Sequence, residues 1–228
     1  MFWHLYDSHM ELDPLKLAVA DRYKLLIGCI VPRPIAFVST ISPDGRPNLA
    51  PFSFFAGVGS NPMTVLFCPA NKPDGTEKDS LRNAKPVEEG GTGEFVVNVA
   101  TEEYERQVAA CAEPLEYGES EFAMSGLASA PSVVVRPARV AESPVAFECR
   151  TVQVIRTNPG APAGGNIVIG EVVHVFVRDE GGLINERFHT DPAKLRAIGR
   201  MGGIEYVRTG DEGNRFEMPM GRRALGTT

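Results

Sequence analysis

The sequence is poor in the residue patterns from which metal sites and dithiol redox centres are built. Its four cysteines are widely spaced and include no CxxC pair. Its four histidines show neither an HExxH motif nor any other paired spacing. Because zinc knuckles and dithiol centres need closely spaced ligands, we predict no metal site. We expect the cysteines to be reduced and mainly part of the core.

A basic excess and long apolar runs are also missing. The chain has 23 Lys and Arg against 29 Asp and Glu, a net charge of −6. Binding to nucleic-acid phosphates depends on Lys and Arg, so this charge argues against a nucleic-acid partner. No apolar run approaches the ~20 residues of a membrane span, and the N-terminus lacks the basic start and apolar stretch of a signal peptide. We therefore expect a cytoplasmic protein without a membrane partner.

The composition is that of a globular domain. The chain has 228 residues, of which 43% are hydrophobic and 23% are charged. This length can bury a substantial core without disulfides. Because we find no internal repeat or interdomain linker, we predict a single domain over residues 1–228. The polar tail at 207–228 is expected to be partly disordered unless it wraps around a partner subunit.

Residues 33–55, RPIAFVSTISPDGRPNLAPFSFF, form the most informative stretch. The run at 35–41 is rich in residues that favour strands, and Pro43-Asp44-Gly45 supplies a turn. In the second run, at 48–55, Pro51 lacks the N–H that a central strand needs, so we expect the strand to break there. A broken strand beside three phenylalanines indicates a flat ligand pocket.

Strand-like runs dominate the rest of the chain. Asp13-Pro14 marks the start of a helix that Gly28 ends, and short helices are expected at 80–84 and 101–111. The predicted strands are 35–41, 48–55, 63–68, 94–99, 132–140, 145–155 and 166–177. Seven strands behind one helix predict a mainly β barrel with a few helices. Residues 158–165, rich in Gly and Pro, are expected to form a surface turn in a long hairpin.

Four motifs, in this order, resemble the flavin reductase-like family. They are PRPIAFVSTISPDGRPNLAPFSFF at 32–55, EKDSLRN at 77–83, GEFVVNV at 93–99 and GRMGGIEY at 199–206. The resemblance runs from about residue 23 to 206, which it marks as the core of the domain. It implies a split β-barrel of the Greek-key type that binds FMN near a homodimer interface. The chain departs from the family in Ser80, where Thr is frequent, and in a longer segment at 85–92.

The resemblance implies that hydroxyl groups and a cation hold the phosphate of FMN. Ser39 and Thr40 end the first strand of the hairpin. Lys78 and Ser80 stand at the start of a predicted helix, where free N–H groups favour an anion. Ser80 as a simple helix cap and Lys78 as a solvated charge remain the alternative interpretations.

The resemblance assigns the isoalloxazine ring to the second strand, the corner after it and a segment late in the chain. The residues are Asn48, Leu49, Ala50, Pro51, Ser53, Phe54, Arg200 and Tyr206. Because a strand alternates its faces, at least one of the nearby phenylalanines must instead belong to the core. From spacing alone, Arg200 is equally interpreted as a surface charge. Asn83 and Asn98 are expected to fix local backbone rather than contact FMN.

The expected function follows from the chemistry of FMN. The cofactor carries the hydride chemistry itself, so we name no catalytic side chain. The resemblance implies a homodimeric, NAD(P)H-dependent flavin reductase that takes hydride from NADH or NADPH, with a monooxygenase component as one form of partner. The alternatives are a flavoredoxin-like FMN electron carrier to a protein partner and a barrel for a non-flavin ligand.

Overall fold

The structure, a computed structural model, describes residues 10–116, 119–178, 181–216 and 218. Within these residues the chain forms twelve strands and five α-helices. The strands are β1 (Arg33–Pro34), β2 (Ala36–Ile41), β3 (Pro47–Phe52), β4 (Phe55–Ser60), β5 (Met63–Phe67), β6 (Glu94–Val99), β7 (Ser129–Ala130), β8 (Arg139–Val140), β9 (Val145–Arg156), β10 (Asn166–Val177), β11 (Ile198–Arg200) and β12 (Tyr206–Arg208). The helices are α1 (Val19–Cys29), α2 (Asp79–Ala84), α3 (Glu105–Ala110), α4 (Glu121–Ser125) and α5 (Pro192–Leu195).

The largest sheet in the described residues has seven strands in the order β3-β2-β6-β9-β10-β5-β4. Each neighbouring pair is antiparallel. Phe52 of β3, at one edge, packs against Phe67 of β5, next to the other edge, with 5.1 Å between ring centroids. Phe67 in turn packs against Phe95 of β6 at 5.1 Å. The sheet therefore curls around an aromatic core, and the prediction of a mainly β barrel-like chain is confirmed.

The β2–β3 hairpin is confirmed, but the strand does not break at Pro51. It continues to Phe52 because β3 is an edge strand of the described sheet. The N–H of Leu49 points away from β2 and donates to Glu121 Oε2 at 2.9 Å. Pro47 and Pro51, two residues to either side, face the same free edge. No neighbouring strand of the described sheet pairs with this edge, so the N–H that proline lacks is not needed there. The break comes between Phe52 and β4.

Two predicted elements are wrong. Most of the predicted strand at 132–140 is a loop, because the N–H groups of Val133, Val134 and Val135 donate to the buried carboxylate of Glu148 instead of a neighbouring strand. The predicted first helix is divided into two parts. A 3₁₀ turn, capped by Asp13 as expected, spans Pro14–Lys16, and α1 begins only at Val19, after the extended Ala18.

The turn predicted at 158–165 joins β9 to β10 and also packs against the segment that leads into α2. Asn166 Nδ2 donates to Asn71 Oδ1 at 2.9 Å, and Asn71 Nδ2 donates to the carbonyl of Ala161 at 3.0 Å. A Cβ on Gly75 would lie 2.2 Å from the carbonyl oxygen of Gly160. The hairpin tip thus fixes the chain shortly before Lys78.

A second, three-stranded sheet brings the start and end of the predicted core together in the order β1-β11-β12. The last two residues of β12 and a 3₁₀ turn at Glu212–Asn214 belong to the predicted tail. Residue 217 and residues 219–228 lie outside the described residues, so tail disorder or a subunit crossing stays a prediction. No helix in the described part of the chain is long and apolar enough to cross a membrane.

Candidate functional site

Three of the residues predicted around the phosphate and the ring form one buried hydrogen-bond network. Asn48 Nδ2 donates to Thr40 Oγ1 at 3.1 Å and to Ser80 Oγ at 3.0 Å. Asn83 Nδ2 donates to the same Thr40 hydroxyl at 3.1 Å, so Asn83 belongs to the network as well. Asn83 Oδ1 has no partner among the described residues. A buried, incompletely satisfied polar network is costly in a small core and is typical of a site kept for a ligand.

Several cationic side chains lie near the residues of this network along the chain or line a cavity with one of them. The ammonium of Lys78 lies 6.0 Å from the ring centroid of Phe52. Partial burial, and then the charge of Lys72, lower the pKa of Lys78. A cavity of about 330 Å³ is lined by Asn83 together with Arg46, Arg82 and Lys85. The same cavity is lined by Asp44, which pairs with Arg46, while Lys85 pairs with Glu77 and Arg82 with Asp79. Among the polar network residues, Asn83 is the one that lines this cavity.

Ser39 lies apart from the other predicted phosphate residues. Its hydroxyl donates to the carbonyl of Ala138 and accepts a bond from Asn98 Nδ2 at 3.3 Å. Neighbouring strand residues point to opposite faces, so the side chains of Ser39 and Thr40 lie on different faces of β2 and contact different residues. Asn98 also bonds the carbonyl of Phe37 and the N–H of Val140, which agrees with the expectation that it fixes local backbone.

The predicted ring residues Ser53 and Phe54 form a corner around a buried arginine. Arg33 Nε donates to Ser53 Oγ at 3.3 Å, and the Arg33 guanidinium lies 5.9 Å from the Phe54 ring centroid. Both corner residues are half-buried, so they contact the body of the protein and solvent at once. Phe52, one residue earlier, is buried in the aromatic core. The structure thus separates the core phenylalanine from the one available to a ligand.

Arg200 and Tyr206 are brought together late in the chain. They are cross-strand partners in β11 and β12, and the Arg200 guanidinium lies 4.5 Å from the Tyr206 ring centroid. Arg200 is also the cross-strand partner of Arg33. This sheet therefore joins the late segment to the Ser53–Phe54 corner through two neighbouring arginines.

The backbone of β3 offers few hydrogen-bond donors to a ligand at its free edge. Positions 47, 49 and 51 of β3 face its free edge, and positions 47 and 51 are prolines without an N–H. Of these three residues, Leu49 alone has a backbone N–H, and it donates to Glu121. Ala50 and Pro51 are half-buried, whereas the Leu49 side chain is fully buried in the core. Any contact of these residues with a ring therefore uses carbonyl oxygens and side chains.

Arg33 is the functional candidate that the sequence interpretation missed. Its acceptors lie in α1, at Ser53 and near β11, and no local pattern connects those positions. Asn83 was assigned only to local backbone. Its position on the same helix face as Ser80, three residues away, was a signal that could have placed it in the network.

Comparisons with known proteins identify the family of this chain. Residues 27–191 match the model of the flavin reductase like domain. An uncharacterized protein of Halalkalibacterium halodurans is 38% identical over 207 residues, which cover 89% of this chain and 93% of that protein. Nitrilotriacetate monooxygenase component B from Bacillus cereus is 31% identical, with a TM-score of 0.83 over 93% of this chain and 100% of the other.

A further solved structure identifies the architecture. A Shewanella frigidimarina protein, described as a flavin reductase with a split barrel domain, has a TM-score of 0.76 at 19% identity, over 93% of this chain and 100% of the other. At that identity the likeness shows the fold alone, and it confirms the predicted split barrel. The chain belongs to the flavin reductase-like family.

Proposed function

We propose that this protein binds FMN and acts as an NAD(P)H-dependent flavin reductase. One observation carries the proposal: the phosphate and ring candidates meet at two consecutive residues. Lys78 lies over Phe52, while Ser53 accepts a hydrogen bond from Arg33. Consecutive Cα atoms are about 3.8 Å apart, so the backbone that carries Phe52 beside Lys78 leads directly into the Ser53–Phe54 corner. A ligand with an anionic end and a flat ring needs that combination.

The residues present fit FMN. Lys78 would hold the phosphate, with the hydroxyls of Thr40 and Ser80 behind it in the network that Asn48 organises. Phe54, Ser53, Ala50 and Pro51 would border the ring, together with Arg200 and Tyr206 from the late segment. Within this assignment Leu49 contributes structure and Ser39 supports the opposite face of β2.

FMN, when bound, supplies the hydride chemistry, so the chain needs no acid or base of its own. The tasks left to the protein are to bind the phosphate, orient the ring, exclude water from one side and place positive charge near it. The two neighbouring arginines supply that charge. The proposal includes NADH or NADPH as the hydride donor. Because the chain is similar to nitrilotriacetate monooxygenase component B from Bacillus cereus, the proposal also includes transfer of the reduced flavin to a monooxygenase component.

The phosphate assignment is tested by comparing FMN with riboflavin, which lacks the phosphate. We expect Lys78→Ala and Ser80→Ala each to weaken FMN binding at least about tenfold, because each loses a bond to a charged group. Riboflavin binding should stay unchanged. Lys24→Ala, which alters an exposed lysine paired with Asp21, is the control.

Fluorescence titration of purified protein measures each affinity. FMN affinities within twofold of the parent protein would show that Lys78 and Ser80 do not bind the phosphate. A loss seen in Lys85→Ala but not in Lys78→Ala would place the phosphate in the cavity that Asn83 lines.

The proposal includes a homodimer. Helix α1 has no buried residue, and it exposes Val19, Tyr23 and Leu26 by about half of their surface. The edge strand β4 is likewise exposed over most of its length and presents Val58 to solvent. An exposed apolar helix and a bare strand edge together are typical of a surface that another chain covers. A second copy is the occupant we infer, and the cytoplasmic location expected from the sequence stays a prediction.

A further inference from the structure

Arg33 is almost fully buried, at 3% exposure, and its side chain joins three separate parts of the chain. Its guanidinium donates to the carbonyl oxygens of Ile27 and Ile30 at the end of α1, the second at 2.7 Å. It also donates to the carbonyl of Met201 at 2.9 Å and to Ser53 Oγ at 3.3 Å. A single side chain thus holds α1, the Ser53 corner and the segment after β11 in one arrangement.

Among the residues that the structure describes, the hydrogen-bond acceptors of Arg33 are all neutral groups. All four acceptors are carbonyl or hydroxyl oxygens, and no carboxylate among the described residues forms an ion pair with Arg33 or Arg200. These two arginines are cross-strand partners, and like charges in that position repel each other. Burial lowers the pKa of Arg33, the neighbouring Tyr23 offsets part of that effect, and the charge of Arg200 lowers the pKa further. The carbonyl end of α1 offsets part of this positive charge, and the remainder is available to a ligand.

This positive charge lies beside the candidate ring residues. The Arg33 guanidinium is 5.9 Å from the Phe54 ring centroid and bonded to Ser53. The Arg200 guanidinium is 4.5 Å from the Tyr206 ring centroid. Two of the three segments assigned to the ring, the Ser53–Phe54 corner and the late segment with Tyr206, are therefore each contacted by one arginine of the pair.

We propose that Arg33 is a positioning residue for the flavin ring and, with Arg200, favours the more negatively charged reduced form of FMN. This proposal rests on the proposed function. Its structural part is that Arg33 aligns the Ser53–Phe54 corner with the Met201 segment. Its electrostatic part is that an uncompensated positive charge binds reduced FMN more tightly than oxidised FMN. A role as a helix cap alone would affect stability but not the preference between the two forms.

The test measures the dissociation constants of oxidised FMN and of dithionite-reduced FMN, anaerobically, for matched variants. Arg33→Gln removes the charge, and Arg33→Lys keeps it but loses the forked donors. Arg22→Gln is the control, because Arg22 also bonds backbone carbonyls, those of Leu17 at 3.0 Å and Leu15 at 3.4 Å, next to the same helix. Urea unfolding of each apoprotein gives the stability.

We expect Arg33→Gln to weaken the binding of reduced FMN at least about tenfold more than the binding of oxidised FMN. Arg22→Gln should leave the ratio of the two dissociation constants unchanged. Arg33→Lys should keep the ratio of the two dissociation constants within about threefold of the parent protein. It should weaken the binding of FMN and of riboflavin equally, because the alignment of the segments around the ring is impaired. Should Arg33→Gln fail to fold, unchanged flavin affinities in Arg33→Lys would overturn the positioning role.

An unchanged ratio in folded Arg33→Gln, with lower stability, would reduce Arg33 to a helix cap and overturn the proposal. Failure of the parent protein to bind either form of FMN would overturn the proposed function and this inference together. The two failures are therefore distinguishable in one experiment.

Discussion

Glu121 shows how one side chain completes the edge of a strand. Its carboxylate is buried and accepts the N–H of Leu49, the one donor that β3 directs to its free edge between Pro47 and Pro51. Burial raises the pKa of Glu121 by desolvating the carboxylate, and the bond from Leu49 offsets part of that effect. The ionised carboxylate therefore carries a desolvation penalty in the folded protein.

The sign of the pH effect follows from this raised pKa. A carboxyl whose pKa is higher in the folded protein favours the fold below its unfolded pKa, and that contribution is lost as pH rises through the folded pKa. In Glu121→Gln the amide oxygen accepts the same bond without a charge. We expect the free energy of unfolding of Glu121→Gln, relative to the parent protein, to increase from about pH 4 to about pH 7.

Urea unfolding at the two pH values measures this difference. Glu171→Gln, at an exposed position in β10, is the matched control and should show no such trend. A difference between Glu121→Gln and the parent protein that does not change with pH would contradict the assignment.

Single site residues were predictable where residue type and local position carried the signal. The hydroxyls of Thr40 and Ser80 are predicted for the phosphate, and they meet in one network through Asn48, which the resemblance assigns to the ring instead. Ser39 was grouped with Thr40 although strand alternation separates them. Arg33 was not predictable, because its partners at Ile27, Ser53 and Met201 meet only in the folded chain.

At the scale of elements, the tip of the β9–β10 hairpin is more than a connection. It packs against the segment before α2 through the Asn71–Asn166 pair and through the close approach of Gly75 to Gly160. Arg156, at the end of β9, adds an ion pair to Glu77 at 2.9 Å. The tip therefore holds the chain that carries Lys78.

Two glycine substitutions isolate this contact. Gly75 and Gly45 both have positive φ, +84° and +91°, so alanine is strained at either position. Only at Gly75 would the new Cβ collide with another segment, at 2.2 Å from Gly160 O, whereas Gly45 has nothing within 4 Å. We expect Gly45→Ala to lower the free energy of unfolding by about 1 kcal/mol and Gly75→Ala by about 2–4 kcal/mol.

Urea unfolding of the two variants measures the difference, which reports the packing of the hairpin tip. Equal losses would show that the tip does not pack against the segment before α2. A weaker FMN affinity in Gly75→Ala, with Gly45→Ala unchanged, would extend the role of the tip to the phosphate residues.

The sequence predicted elements well where the pattern was local. The hairpin at β2 and β3, and the long strands β9 and β10, follow from runs of strand-forming residues between turn residues. The run at 132–140 has the same composition but forms a loop, because its N–H groups bind Glu148. That competing partner is a long-range contact which composition does not reveal.

For the whole molecule, the number of strands predicted a barrel, but the order of strands came only from the structure. The sheet places β3 and β4 at its two edges, and Phe52 of β3 packs against Phe67 of β5, the neighbour of β4. The exposed apolar side chains of α1 and β4 lie on the outside of this arrangement. They support the homodimer as part of the proposal.

We expect Val58→Lys to raise the dimer dissociation constant at least about tenfold, because a charge would be buried against an apolar partner surface. Light scattering at micromolar protein measures the mass. Val133→Lys is the control, since Val133 is 74% exposed on the Glu148 loop, whereas Val58 is 52% exposed on β4. A monomeric mass for the FMN-bound parent protein would show that the homodimer is wrong.

Binding of FMN and its reduction by a nicotinamide donor are tested together by an anaerobic titration of the FMN-loaded protein with NADH and then with NADPH, following the visible flavin absorption. We expect rapid, saturable loss of that absorption with one of the two donors. An FMN-loaded protein whose colour persists with both donors would contradict the reductase and leave an electron carrier that takes its electrons from another protein.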